Sequence, residues 1–467
     1  MIFGKGHCSC LPRRDLCMIM KMRFRLWMRR KALVIVAILG CVTLLTIALS
    51  ELSGHQMGTF SVKRLKDNVK RRSTQVVLSS KQVLFTAEVA ARFERRRQRM
   101  KEACRRLKLT SYRGMRHASE RFIFPTRSSP VVLYCPVPKT GTTFLKKTFA
   151  TANNASQVIW VDRFHVRPVD NYDKAVMFFF TREPYSRILS AYIDKLWSPN
   201  LQFWRVLGKP LVHGVRHNAS LRSLECGHDV TFPEFIRYFI DGMTRGSRIN
   251  THVVPTHKFC ETCDYDYDYI GKLETFREDA AYILSAINVT TSESYSNNDD
   301  VISHHIIQAF YTNHIDKTHC AKKHHILLRA WRALQIRGII SMSIPFPFSE
   351  SQALSVFRTT FTLVIQKAVD KTNLIFRNLD QKQIHSVSLS KSRASRSSQS
   401  PPLLQSRDRQ KKMALASAYS LVPKAHKLKM MKLMREEFEL FGYEAKPDDV
   451  FASKKDRNQK IFDLSDI

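Results

Sequence analysis

The residues best suited to chemistry stand in one short stretch, Pro138-Lys139-Thr140-Gly141-Thr142-Thr143. Lysine brings a full positive charge, the threonines bring hydroxyl donors, and glycine lets backbone approach a ligand closely. That combination suits an anion, above all a phosphate-like group. The preceding residues, Val131 to Val137 (VVLYCPV), are apolar and β-branched, as expected of a buried parallel strand. An amphipathic helix follows, opening with Phe144, Leu145, Lys146 and Lys147. A strand feeding a helix through such a turn aims N–H groups and the positive end of a helix dipole at the anion. The turn is not a Walker A loop, because GxxxxGK[ST] cannot be laid over PKTGTT. A threonine-rich turn that merely caps a helix would satisfy the same spacing.

A second stretch repeats the architecture. Ala175–Thr181 is an apolar strand that ends in Arg182 and Glu183, and Pro184 suits a first helical position. The helix after it carries Arg187, Ser190 and Tyr192. With Gln157–Val161 as another short strand, strands alternating with helices indicate an α/β fold: a P-loop-like parallel sheet flanked by helices. Ligands in such sheets sit at the carboxyl ends of the strands, where both basic turns fall.

The first turn together with R-E-P-x-x-R-x-x-S-A-Y at 182–192 resembles the carbohydrate sulfotransferases. More closely, it resembles the Golgi branch containing the chondroitin and dermatan 4-O-sulfotransferases. A third segment, Ile249 to Leu284, is similar to that family's H-x-x-P…C-x-x-C…Y-D-x-I-G-K-x-E-T pattern, with His252, Cys260, Cys263 and Lys272 in place. The resemblance covers roughly residues 120–345 and 413–445. It implies the sulfotransferase fold and a sulfuryl donor, PAPS (3′-phosphoadenosine 5′-phosphosulfate). The first motif, Pro138 to Phe144, would hold the 5′-phosphosulfate and the second the 3′-phosphate. Lys139 is then expected at the leaving phosphate oxygen, with Gly141, Thr142 and Thr143 on the phosphosulfate. Arg182 and Ser190 are expected to clamp the 3′-phosphate, within a contact stretch that includes Glu183, Pro184 and Arg187. Arg187 could instead pair with Glu183 one turn earlier, the slightly favoured arrangement, with Glu183 complementing the helix dipole. The general base stays open between His165 and His252. The transferred group carries one negative charge, so cations and N–H donors can suffice, and no metal is expected. Thr143 is followed by Phe144-Leu145 where the family commonly has an aromatic-basic pair, which leaves the acceptor side open.

The elements around these motifs set the context. The chain has 467 residues and a formal charge of +36, from 76 Lys+Arg against 40 Asp+Glu. Such an excess points to polyanionic partners: nucleic acid, acidic lipid or acidic glycan. No zinc finger, helix-turn-helix or RNP signature accompanies the charge, so nucleic acid is not expected; a glycan or glycosaminoglycan acceptor is. Residues 1–31 form a basic cytoplasmic tail, and Ala32–Leu49 is an uncharged apolar run. At 1.5 Å per residue it spans roughly 27 Å, near the thickness of a bilayer's hydrocarbon core. Lys and Arg crowd the residues before it and thin out after it, which predicts a type II signal anchor with the rest of the chain in the Golgi lumen.

Residues 50–119 are expected to be a basic stem, helical over Lys81–Leu107, with Glu94-Arg95-Arg96-Arg97 as a solvated face. Residues 346–412 are expected to be a partly disordered insertion, Leu428–Tyr443 a closing helix, and 446–467 a tail. Cys104, Cys135, Cys226, Cys260, Cys263 and Cys320 suggest lumenal disulfides of undeducible connectivity. A zinc reading of Cys260-x-x-Cys263 with His257 is weaker. Asn154, Asn218 and Asn288 open N-glycosylation tripeptides. The histidines of 304–325 are expected to lie on the surface or pack within helices.

Two rival functions remain. A lumenal nucleotide-dependent kinase would need Mg²⁺ and a strand-end carboxylate, for which Asp162 is the candidate. A non-catalytic basic module would bind sulfated polysaccharide whether or not Lys139 is present.

Overall fold

Buried apolar strands need both faces covered, and that requirement shapes the domain. In the computed structural model, residues 80–109, 124–125, 132–152, 158–159, 175–289, 298–311, 320–388, 402–452 and 462 are described. The tail, the apolar run 32–49, the start of the stem, Asn154, Asp162, His165 and most of the last fifteen residues lie outside them. Among the described residues no helix is long and apolar enough to cross a membrane.

The elements that build the site are α1 (Ser80–Arg106), β1 (Phe124–Pro125), β2 (Val132–Cys135), α2 (Thr142–Ala152), β3 (Val158–Ile159), β4 (Val176–Thr181), α3 (Pro184–Tyr192) and α4 (Phe232–Arg245). They continue with β5 (Tyr269–Lys272), α5 (Phe276–Ala286), α6 (Asn298–Tyr311), α7 (Lys323–Ile336), α8 (Arg358–Ser388), α9 (Pro402–Ser420), α10 (Lys424–Leu433) and α11 (Arg435–Phe441).

β2, β4 and β5 form a parallel sheet in that order, with Cys135 opposite Phe179 and Thr181 opposite Lys272. Alternate residues serve opposite cores. Val132, Tyr134, Phe178 and Phe180 meet α2 and α5 on one face. Leu133, Cys135, Met177, Phe179 and Ile270 meet Leu440 and Phe441 of α11 on the other. Tyr134 and Phe178 stack across the strands at 4.8 Å between ring centroids, a cross-strand pair that helps fix the register.

α1 belongs to this core. Val89 and Phe93 enter the first face, and Met100 and Ala103 the second. The run 94–97 is therefore not simply solvated: Arg96 donates to Asp279 Oδ2 at 2.6 Å and to the Ile270 carbonyl at 3.0 Å.

Three other expectations differ. Val158–Ile159 does not extend the parallel sheet; it pairs antiparallel with Phe124–Pro125, since a short apolar run encodes neither partner nor direction. Much of 346–412 is helical, with Phe361, Ile365 and Ala368 of α8 packed into one core; α9 runs on past 412, where its Ala414 and Ala418 join another. Those residues recur at helical spacing; the Ser/Arg-rich residues 389–401 lie outside the described ones. The closing helix is broken into α10 and α11, and it ends at Gly442 in the left-handed region. Three disulfides link Cys104–Cys263, Cys135–Cys260 and Cys226–Cys320. They use both cysteines of C-x-x-C and remove the zinc reading.

Candidate active site

Neighbouring parallel strands deliver the two basic turns to the same edge of the sheet. Lys139 follows β2, Arg182 follows β4, and Arg182 Nη1 donates to the Lys139 carbonyl at 3.4 Å. The turn between them and α2 is tightly wound. Lys139 has φ 70° and Gly141 φ 88°, and a Cβ on Gly141 would lie 2.5 Å from the Phe276 ring. Only glycine fits there, and the left-handed Lys139 is the kind of backbone outlier that collects at functional sites.

The threonines divide their roles. Thr140 is fully buried and its hydroxyl donates to the Val137 carbonyl at 2.8 Å. The Thr142 hydroxyl donates to the same carbonyl and accepts from Tyr134. Both hydroxyls are engaged within the turn. Thr143 is exposed at the start of α2, where first-turn N–H groups have no intrahelical acceptor. Phe144 is a core residue, its ring edge-on to Phe276 at 5.5 Å. Pro138 is half-buried in the turn.

Around Arg182 the neighbouring side chains are held by structural contacts. Glu183 caps α3, accepting from Tyr185 N and Ser186 N at 2.9 and 2.7 Å. Pro184 is buried at the first position of that helix. Arg187 does not pair with Glu183. It is buried and donates to the Val254 carbonyl at 2.8 Å and the His252 carbonyl at 3.4 Å, so it positions the segment that bears His252. Ser190 is buried two turns along α3 and makes no hydrogen bond to Arg182. Burial lowers the Arg182 guanidinium to about 10, which leaves it charged at neutral pH.

Several residues at the site have no sequence signal. α3 runs into a π-helical turn, Ile193–Trp197, a feature often found at functional sites. It carries Asp194, whose Oδ2 lies 3.0 Å from both Lys139 Nζ and Lys195 Nζ. His304 Nε2 lies 3.1 Å from Asp194 Oδ1. Burial would raise this carboxyl, but Lys139, the His304 bond, Lys195 and Arg337 together hold it well below the usual carboxylate range. Burial also lowers Lys139 to about 8, with Asp194 opposing and Arg337 and Lys195 adding to the fall. Arg337, just past α7, donates from Nε to His305 Nε2 at 3.1 Å. His305 Nδ1 is then the protonated nitrogen, 3.3 Å from Ser198 Oγ. Lys139, Lys195 and Arg337 thus act on one carboxylate, Asp194, while Arg182 feels Arg337 and lies by Glu274 and Glu183; the cations outnumber these carboxylates, and the site has the charge of an anion receptor.

His252 joins the same cluster. Its Nδ1 is 2.8 Å from Asn250 Oδ1, which also accepts from the His252 backbone N–H. Nδ1 therefore donates, and Nε2 presents a lone pair. Burial first, then Lys195 and Lys139, lower this imidazole to about 3. Phe203 lies edge-on to it at 5.5 Å and carries the Lys195 ammonium 4.3 Å above its ring.

Residues 121–333 match the Sulfotransferase family. That segment, a little under half of the chain, is similar to the sulfotransferase family. Carbohydrate sulfotransferase 8 of Homo sapiens is 32% identical over 213 residues, covering 42% of this chain and 49% of the relative. Carbohydrate sulfotransferase 11 of Mus musculus is 31% identical over 179 residues, 34% of this chain and 51% of the relative. Carbohydrate sulfotransferase 9 of Homo sapiens is 31% identical over 232 residues, 44% and 50% respectively. The chain spans about half the length of these curated relatives. No solved structure matches it. The matched segment contains Lys139, Arg182, Asp194 and His252, whereas Arg337 falls just beyond it.

Proposed function

We infer that the sulfotransferase domain transfers a sulfuryl group from PAPS to a hydroxyl of a glycan or glycosaminoglycan, chondroitin/dermatan or GalNAc-bearing in kind. The observation that carries this is the meeting of Lys139 and Arg182 at adjacent strand ends. The chain's residues fit such a donor by their chemistry: buried cations outnumber carboxylates, and the Gly141 turn admits no side chain against Phe276. The bound donor supplies the activated sulfate; the S–O bond to its phosphate breaks as the acceptor oxygen bonds to sulfur.

Lys139 would neutralise the leaving phosphate oxygen, exchanging its Asp194 contact for the ligand. The first-turn N–H groups of α2 and the Thr143 hydroxyl would orient the group in line. Arg182, with Ser190 behind it, would hold the 3′-phosphate, a task for which a guanidinium fork is suited. His252 Nε2 would accept the acceptor's proton, provided the incoming anionic charge raises its basicity. His165, the other expected base, lies outside the described residues.

The three disulfides support an oxidising compartment, and the printed names of the relatives support a carbohydrate acceptor. With the apolar run 32–49 as anchor, the reading is a Golgi type II membrane enzyme with a lumenal catalytic domain.

Incubating the chain with radiolabelled PAPS and a panel of desulfated chondroitin and GalNAc-terminated glycans tests this. Label should enter at least one glycan. Lys139→Ala and Arg182→Ala should each abolish incorporation while leaving the melting temperature within a few degrees. Transfer that survives either substitution would count against the assignment.

A further inference from the structure

A second cationic surface remains that the donor site does not use. Asp279, fully buried, meets Arg92 Nη2 at 3.0 Å and Arg96 Nη1 at 2.6 Å. Its Oδ2 also accepts from Lys272 N and the Thr275 hydroxyl at 2.9 and 2.7 Å. This anchor fixes the rotation of α1, so that Arg92, Arg95, Arg96, Arg99, Arg106 and Lys272 line one groove of about 690 Å³. Its two acids are already engaged, Glu102 with Arg105 and Glu439 with Arg106 and Arg435. Arg95 and Arg99 are exposed and form no ion pair with a described carboxylate. Arg99 is nonetheless placed, its guanidinium lying against Gly442, where a Cβ would come within 2.9 Å of Nε.

The spacing decides the ligand class. Arg95, Arg99 and Arg106 follow one another by one and two helical turns, which spreads the row over about 16 Å of helix. A single small anion cannot use such a row, but a polymer bearing anionic groups at intervals can. Arginine forks match sulfate and carboxylate oxygens bidentately. The groove's one aromatic, Phe441, is buried at 3% exposure, so bases have no stacking platform and nucleic acid is disfavoured. The inner end lies beside the donor site: Lys272 Nζ sits 4.1 Å above the Tyr443 ring, and Tyr443 OH and the Glu183 N–H both donate to Glu274, next to Arg182.

We propose that this groove is a chain-binding site that holds an acidic glycan acceptor by its sulfate or carboxylate groups, away from the hydroxyl that reacts. The proposal rests on the reading of the domain as a glycan sulfotransferase.

The test uses the full-length chain, fluorescent chondroitin sulfate, a labelled RNA of similar length, and adenosine 3′,5′-bisphosphate. In Arg95→Ser/Arg99→Ser the Kd for chondroitin sulfate should rise about tenfold, and its dependence on salt should become shallower as two charge contacts are lost. The bisphosphate Kd should not change. Arg95→Lys/Arg99→Lys, which keeps charge without the fork, should fall between, and it serves in place of the serine variant should that one fail to fold. Unchanged chondroitin sulfate binding overturns the proposal. So does an equal loss of bisphosphate affinity, which would give the groove to the nucleotide, or an equal dependence of RNA binding on the same arginines. If the arginines hold the polymer but no acceptor is ever sulfated, the groove stands and the catalytic reading falls.

Discussion

At the scale of single residues, charge at a strand end was legible and the use of that charge was not. Lys139 and Arg182 stood out because a cation just past an apolar strand has few structural reasons to be there. Thr140 and Arg187 take partners that residue type does not reveal, a nearby backbone carbonyl and two distant ones, whereas Glu183 caps α3 as its place at the helix start predicts. Asp194 and Lys195 were missed because a π-helical turn, which has no sequence period of its own, rotates them toward Lys139. Lys139 carries the first prediction here. Burial holds it at about 8 against an ordinary 10.5, so it is charged below that value and neutral above it. Affinity for adenosine 3′,5′-bisphosphate should therefore fall as pH rises through about 8. Lys272 is also lowered to about 8, chiefly by burial, so two variants separate the sources. Lys272→Arg should leave the alkaline fall in place, and Lys139→Arg should move it upward; the reverse pattern would assign it to Lys272. Stability shifts the opposite way: the unfolded chain binds more protons between about 8 and 10.5, so this lysine's burial cost is relieved as pH rises through that window. Gly141 gives a second prediction at this scale. Alanine there combines φ 88° with a clash against Phe276, and should lower stability by about 1–3 kcal/mol and weaken bisphosphate binding. Equal urea midpoints and equal Kd would show that the turn tolerates a side chain.

At the scale of elements, the parallel sheet and its two strand–turn–helix units followed from apolar runs bounded by turn residues, and α1 was visible within one residue of its ends. What α1 does was not visible, because its anchor, Asp279, stands 183 residues from Arg96 and 187 from Arg92. A basic helical stretch with no partner in view reads as solvated until the fold supplies the partner. Asp279 receives two arginines at zero side-chain exposure, and removing one side of such a buried ionic cluster costs about 3–5 kcal/mol. Asp279→Ala should accordingly lower the urea midpoint. It should also speed amide exchange along α1 more than along β2 and β4, whose own cores remain. Uniform loss of protection across all three would mean that α1 and the sheet unfold as one unit and that the ion cluster is not a local anchor. α8 and α9 were obscured for a different reason: the Ser/Arg-rich stretch between them dominated the composition of the whole segment, while Phe361, Ile365 and Ala368 kept helical spacing beneath it.

At the scale of the whole molecule, six of the ten cysteines, those from Cys104 to Cys320, were expected to form disulfides, but pairing is a property of the folded chain. The closures span 159, 125 and 94 residues of sequence. Crosslinks that long restrict the unfolded chain most, by about 4–5 kcal/mol each in the loop-entropy view. They are not equally accessible. Cys135 and Cys260 lie at 0% and 1% exposure beneath the Lys139 turn, whereas Cys104 and Cys263 are half-buried at the end of α1. Exchange requires a thiolate to reach a disulfide sulfur, so graded dithiothreitol should open Cys104–Cys263 before Cys135–Cys260, as read by alkylation and peptide mass mapping. The order has a functional consequence. Freeing the end of α1 loosens the arginine row first, so chondroitin sulfate affinity should decline at reductant levels that leave bisphosphate affinity intact. If the two affinities decline together, or if Cys135–Cys260 opens first, α1 and the strand-end site are not separable units of stability.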